Sequence, residues 1–210
     1  MKKRAIPQPE EFPLSRTRSI DGTRRLAREK AVQILSAYES MISESPDVQS
    51  VDTEHMFQHI FYRDFNIGEG EEQRHGRPLR TDEVEELESD TPITWRDKDI
   101  HFARTLFFTT VANVKSLDER IERLAKNWDL ERIALTDRLL LRMAITEMMT
   151  FSDIVPKITI NEAIELAKVY STEKSSVFIN GILDVARDEL VAEGLLASKS
   201  ENEPPTASVE

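Results

Sequence analysis

Between Leu135 and Phe151 the chain is apolar on nearly every side of a helix, with charge only at Asp137, Arg138, Arg142 and Glu147. A helix of that kind is stable in water only when other elements surround it, so it belongs at the centre of a domain. The remaining sequence supplies the cover. Ala27, Ala31, Ile34, Leu35, Tyr38 and Ile42 recur at spacings of three and four and form one apolar helix face, starting near Thr23. Met56, Phe57, Ile60, Phe61 and Phe65 form a second, and Ile100, Ala103, Leu106, Phe107, Val111 and Val114 a third. Ser116-Leu117-Asp118-Glu119 and Thr159-Ile160-Asn161-Glu162 each place a carboxylate three residues after a hydroxyl, the capping-box pattern that opens a helix. A last helix is predicted from about Glu173 to Val191. No segment reads convincingly as a strand. Asn180-Gly181 is a hairpin signal, but Ile179, Ile182, Leu183, Ala186 and Leu190 keep helical spacing around it. A glycine costs a helix about 1 kcal/mol relative to alanine, so Gly181 is expected to serve close backbone packing.

The segments outside these faces differ in character. Residues 1–22 contain three prolines and no periodicity, and read as a flexible basic arm. Residues 68–92 hold nine acids against Arg74, Arg77 and Arg80, with almost no large apolar residue, and read as a solvated acidic insertion. Residues 193–210 read as a disordered tail. One helical domain over 23–192 remains. Met1-Lys2-Lys3-Arg4 resembles the start of a signal peptide, but Pro7, Pro9, Glu10 and Glu11 stand where an apolar stretch should follow. No run reaches the roughly 18 apolar residues of a membrane span, so a soluble, cytoplasmic protein is expected. With no cysteine there is no disulfide, thiol nucleophile or cysteine-ligated zinc.

Charge points to one function class. The chain carries a formal net charge of −11, yet residues 1–30 hold nine Lys/Arg against four acids. A basic segment that survives such a background is a candidate site for phosphate. Arg24, Arg25 and Arg28 fall three and four apart on the first helix, and guanidinium groups suit bidentate phosphate contacts and base stacking. The competing reading is a solvated helix face with pairs such as Arg25 to Glu29. Catalytic signatures are missing. Gly68, Gly70 and Gly76 lack the Lys-Ser/Thr of a phosphate loop. His55 and His59 share a helix face but have no evident third metal ligand, and read as ordinary surface or half-buried histidines. No cofactor or metal is expected.

Two blocks of sequence go further. The first is Arg24-Arg25-Leu26-Ala27-Arg28-Glu29-Lys30-Ala31-Val32-Gln33-Ile34-Leu35. The second runs from Asn127-Trp128-Asp129-Leu130-Glu131-Arg132 through Asp137-Arg138-Leu139-Leu140-Leu141-Arg142-Met143-Ala144 and Ile160-Asn161-Glu162-Ala163-Ile164-Glu165-Leu166-Ala167-Lys168 to Phe178-Ile179-Asn180-Gly181-Ile182-Leu183-Asp184. Together they closely resemble the NusB family of transcription antitermination factors, over most of residues 23–66 and 96–191. The resemblance implies an all-α fold, a pair of small helical bundles with about seven helices. It implies binding of boxA RNA in nascent ribosomal RNA transcripts together with NusE, a small-subunit ribosomal protein, within an antitermination complex on RNA polymerase. Catalysis and a cofactor are not implied.

Carried over residue by residue, the resemblance assigns Arg24, Arg25, Arg28 and Gln33 to RNA. Phe178 matches an aromatic near the RNA, with core packing as its competing role. Lys174 stands where some relatives have an acid, a change that favours RNA. Glu131 and Asp137 match acidic positions on the surface that meets NusE, and Asp137 is equally suited to the positive end of a helix dipole. Ser36 stands where some relatives carry an aromatic. The arm, the acidic insertion and the tail are additions to the family pattern. The alternative function is a helical association module or homodimer without direct RNA binding. An enzyme is disfavoured, because a NusB-like domain that precedes a methyltransferase needs a nucleotide-binding domain, and no glycine-rich fingerprint follows here.

Overall fold

A computed structural model describes residues 20–44, 51–62, 93–125 and 132–197. The proposed insertion 68–92, most of the arm and residues 198–210 lie outside these described residues. Seven helices occur among them: α1 Arg24–Glu44, α2 Thr53–Tyr62, α3 Asp97–Ala112, α4 Val114–Leu124, α5 Leu135–Thr150, α6 Pro156–Tyr170 and α7 Glu173–Glu193. The protein is all-α. None of these helices is long and apolar enough to cross a membrane.

The all-round apolar segment sits where its composition requires. Every residue of α5 from Leu139 to Met148 is buried, and α5 packs against α1, α3, α4, α6 and α7. On one side α1, α2 and α3 form a small bundle; on the other α4, α6 and α7 gather around α5. The first bundle is filled by rings. Phe57 lies against Phe61 at 5.0 Å and Phe107 at 6.0 Å, and Tyr38 meets Phe107 edge-on at 6.4 Å. Each fully buried side chain of this size contributes about 1.5–3 kcal/mol relative to exposure. Across the bundles, the buried Arg142 on α5 donates to Asp118 on α4 at 2.6 Å and to Glu39 on α1.

Several local expectations are corrected. Ser116 does not cap a helix: α4 begins at Val114, and the Ser116 hydroxyl donates back to the Asn113 carbonyl at 3.0 Å. Thr159 does not cap one either, because Pro156 already opens α6, where its set φ suits the first position. The hydroxyl caps in use are Thr23, accepting from Leu26 N at 3.2 Å, and Thr172, accepting from Ser175 N at 3.2 Å. Gly181 lies inside α7, as the helical spacing requires, but a Cβ there would meet nothing within 4 Å. The expected close packing is therefore absent among the described residues.

The edges of the domain also move. Ile20–Asp21 (β1) pairs in parallel with Ile93–Thr94 (β2), a two-residue ladder that no strand pattern announced. Gly22 continues it, donating to Thr94 O at 2.8 Å, and a Cβ on Gly22 would fall 2.3 Å from the Trp95 ring. Trp95 in turn stacks on Phe61 at 4.4 Å. At the other end Gly194 closes α7 with φ of 66°, and Ala197 N donates to Met148 O at 3.0 Å. Residues 20–22 and 193–197, read from sequence as arm and tail, thus belong to the folded body.

Candidate RNA interface

The arginines of α1 are sorted by the helix itself. Leu35, seven residues after Arg28, and Ala31, three after it, are buried, so Arg28 falls on the core-facing stripe. It is only 4% exposed. Its Nε and Nη2 donate to Glu147 at 2.8 and 2.7 Å, and Nη1 lies 3.6 Å from Glu162. The Thr159 hydroxyl completes the site by donating to Glu147 Oε1 at 2.7 Å. Phe102 lies beneath, its ring centre 5.2 Å from the guanidinium carbon. This corrects the reading of Arg28 as an RNA-facing side chain. Its charge answers the carboxylate of Glu147, which α5 carries into the interior.

Arg24 is intermediate. Its guanidinium lies 4.8 Å over Phe102, 3.2 Å from Asp153 in the α5–α6 turn and 4.0 Å from the buried Asp99 of α3. It joins three parts of the fold and keeps one edge in solvent. Arg25 is the outward member, with 58% of its side chain exposed and Glu165 as a distant partner at 3.9 Å. Glu165 itself is held by Lys168 at 2.6 Å, and that hydrogen bond, with Arg25 a weaker influence, lowers its carboxyl from the usual range.

Further along the same helix, Gln33 donates to the Tyr170 hydroxyl at 3.5 Å and accepts from Lys30 Nζ at 3.1 Å. The Tyr170 hydroxyl donates to Glu29. Burial, and then the Glu29 carboxylate, push that hydroxyl above its ordinary pKa. Sequence reasoning missed Lys30 and Tyr170. Lys30 stands one residue before core Ala31, and Tyr170 is the last residue of α6, a position that no motif distinguishes.

Lys174 follows Tyr170 by four residues in the chain. Lys174 is exposed in the first turn of α7, where a cation opposes the helix dipole and gains nothing for the fold. Phe178, one turn on, is half-buried against the core, so packing accounts for most of its ring. The two acidic partner positions fare differently. Glu131 lies outside the described residues. Asp137 sits in the first turn of α5, 6% exposed, and its Oδ1 makes no hydrogen bond among the described residues. This corrects its placement on an open docking surface; its position is that of a charge at the helix dipole. Among the described residues no group of three His, Asp or Glu is placed to hold a metal.

Comparison with known proteins agrees with this architecture. A transcription antitermination protein NusB of Chloroherpeton thalassium is 48% identical over 88 residues, 42% of each chain, so this chain spans less than half of that relative's length. The NusB of Desulfitobacterium hafniense is 37% identical over 162 residues, 77% of this chain and 86% of the relative. The solved NusB of T. maritima superposes with a TM-score of 0.58 at 27% identity, over 81% of this chain and 94% of that one. The model of the NusB family matches residues 54–188, and the chain belongs to that family.

Proposed function

We propose that this chain is an RNA-binding transcription antitermination factor. In this reading it binds boxA-type sequences of nascent ribosomal RNA together with NusE, and promotes processive transcription within the RNA polymerase complex. One observation supports it above the rest: relatives named transcription antitermination proteins share 37% identity across 77% of the chain. The residues offered to RNA in this reading are Arg25, outward on α1, the partly open Arg24 and Gln33 further along, with Lys174 and Phe178 on α7. Arg28 supports α1 from within. The NusE contact rests on family membership, since Asp137 is buried and Glu131 lies outside the described residues. Such a factor works on transcripts as they emerge, which places it in the cytoplasm. It acts by binding and holds no catalytic role. The domain runs from Ile20 to Ala197, and the acidic segment 68–92 is an insertion into it.

The test is a titration of boxA RNA at several salt concentrations, with and without NusE. Arginine contacts release counterions, so affinity should fall steeply and log-linearly as salt rises. Absence of RNA binding under both conditions would overturn the reading.

One observation favours a second reading, association without RNA. Val177 and Val185 are 74% and 53% exposed on α7, on either side of the uncovered Gly181. Sedimentation with and without RNA separates the two: a tight homodimer that excludes RNA would support association.

A further inference from the structure

The outward face of α7 is symmetric about its middle. From Lys174 to Asp188 the exposed residues are Lys174, Val177, Gly181, Val185 and Asp188, spaced three, four, four and three apart. Gly181 is the centre. The two valines stand four residues to either side of it, 74% and 53% exposed, and opposite charges stand seven residues to either side. By helical rise the valines are about 12 Å apart and the charges about 21 Å, and the whole run makes about four turns, so all five share one stripe.

Water alone does not account for this face. An exposed helix surface is best served by Ala, Glu, Lys or Gln, whereas valine and glycine are poor helix formers. Lys174 sits in the first turn, where a cation opposes the helix dipole. Among the described residues a Cβ on Gly181 would meet nothing within 4 Å, so the glycine makes room for none of them. These features weaken α7 by itself and suit a backbone brought close from outside.

The symmetry selects the partner. A two-fold axis crossing α7 at right angles through Gly181 lays a second α7 antiparallel on the first. Val177 then faces the partner's Val185, and Lys174 faces the partner's Asp188. Each contact is made twice, as an isologous interface requires. The two glycines meet where the helices cross, so the axes can approach more closely than the usual roughly 8–10 Å. Valine has few rotamers to lose on packing. The Asp188 side chain is 72% exposed and accepts from Arg187 through Oδ1 alone, at 2.9 and 3.0 Å, which leaves Oδ2 for a lysine. Parallel pairing would instead set lysine on lysine and aspartate on aspartate.

We propose that the chain free of RNA and NusE forms a reversible homodimer through α7, antiparallel and centred on Gly181. The proposal rests on the α7 face of the association reading and gives it a partner, a second copy of this chain, and a register. It does not depend on the RNA reading, with which it shares Lys174 alone.

A single helix pair covers less than the roughly 800 Å² per partner of a standard interface, so a Kd of about 10–100 μM is expected. Sedimentation equilibrium is run on the full chain from well below to well above that range. Lys174→Asp and Asp188→Lys should each weaken the dimer about tenfold or more, by setting like charges face to face. An equimolar mixture of the two variants should pair within about threefold of wild type, because both contacts then join opposite charges. Gly181→Leu should abolish pairing while circular dichroism stays unchanged. A dimer indifferent to both charge reversals would overturn the proposal and move association to another surface. Reversals that weaken the dimer without rescue in the mixture would overturn the antiparallel register. A wild type that stays monomeric throughout would overturn the dimer itself; if its affinity for NusE then falls on Gly181→Leu, NusE is the occupant of this face.

Discussion

The inner and outer faces of α1 use the same side chain for opposite purposes. Arg28 is enclosed by Glu147, Glu162, Thr159 and Phe102, and serves the fold. Arg25, less than one turn away, projects into water with its nearest carboxylate at 3.9 Å. On the inner face, charge is worth having only because an opposing charge is already buried. On the outer face it is cheap to maintain and free to meet a phosphate. A cluster of cations three and four apart is thus graded, from the enclosed Arg28 through the intermediate Arg24 to the outward Arg25.

The comparison breaks most visibly at the inner site. Arg28→Met should cost about 3–5 kcal/mol in urea denaturation, because it strands the Glu147 carboxylate in the interior. Combining it with Glu147→Met should recover most of that loss, since apolar replacement of a whole buried pair is often neutral or stabilising. If the single variant loses less than about 1 kcal/mol, the inner site is not the closed pair described. At the outer site, Arg25→Glu should leave the urea midpoint in place. It should weaken boxA RNA binding about tenfold and lower the salt slope by about one contact. Equal affinity for wild type and variant would remove Arg25 from the interface.

Two smaller effects sharpen the contrast elsewhere. Among the described residues Gly181 has no neighbour to accommodate, so Gly181→Ala should stabilise the protein by about 0.8–1 kcal/mol on thermal unfolding. Stabilisation accompanied by weaker assembly would mean that a partner approaches the α7 backbone there. The smallest effect is acid-dependent. Hydrogen bonds from Arg104 and then Gln58 hold the Glu54 carboxyl at about 2, well below its ordinary 4.5. Because the folded value is depressed, the contribution is present above pH 4.5 and is lost as pH falls towards 2. Glu54→Gln should flatten the stability profile across that window, and a profile that keeps its slope would assign the acid sensitivity to other carboxylates.

Much of this molecule could be read before it was seen. The composition of Leu135–Phe151 leaves no exposed side for a helix, and α5 is accordingly enclosed. The helical spacing around Gly181 outweighed its hairpin dipeptide, because that apolar stripe has a core to face. The capping boxes misled because side-chain caps compete with a well-placed proline at Pro156 and with an earlier start at Val114. The β1–β2 ladder was invisible because two residues are too few for alternation to register. Within the candidate interface, Arg25 and Gln33 were legible from their motif, whereas Lys30 and Tyr170 matter only through one another and through Glu29.

Sequence alone determined which segments are helices and which faces of them must be hidden, since periodicity and hydrophobicity are local quantities carried by the chain itself. It also determined that a basic stretch opens an acidic protein. Tertiary packing decided which of those basic groups remain available, because that depends on where α5 and α6 deliver Glu147, Glu162 and Glu165. A guanidinium that meets a buried carboxylate becomes part of the interior, and one that meets water stays free to bind.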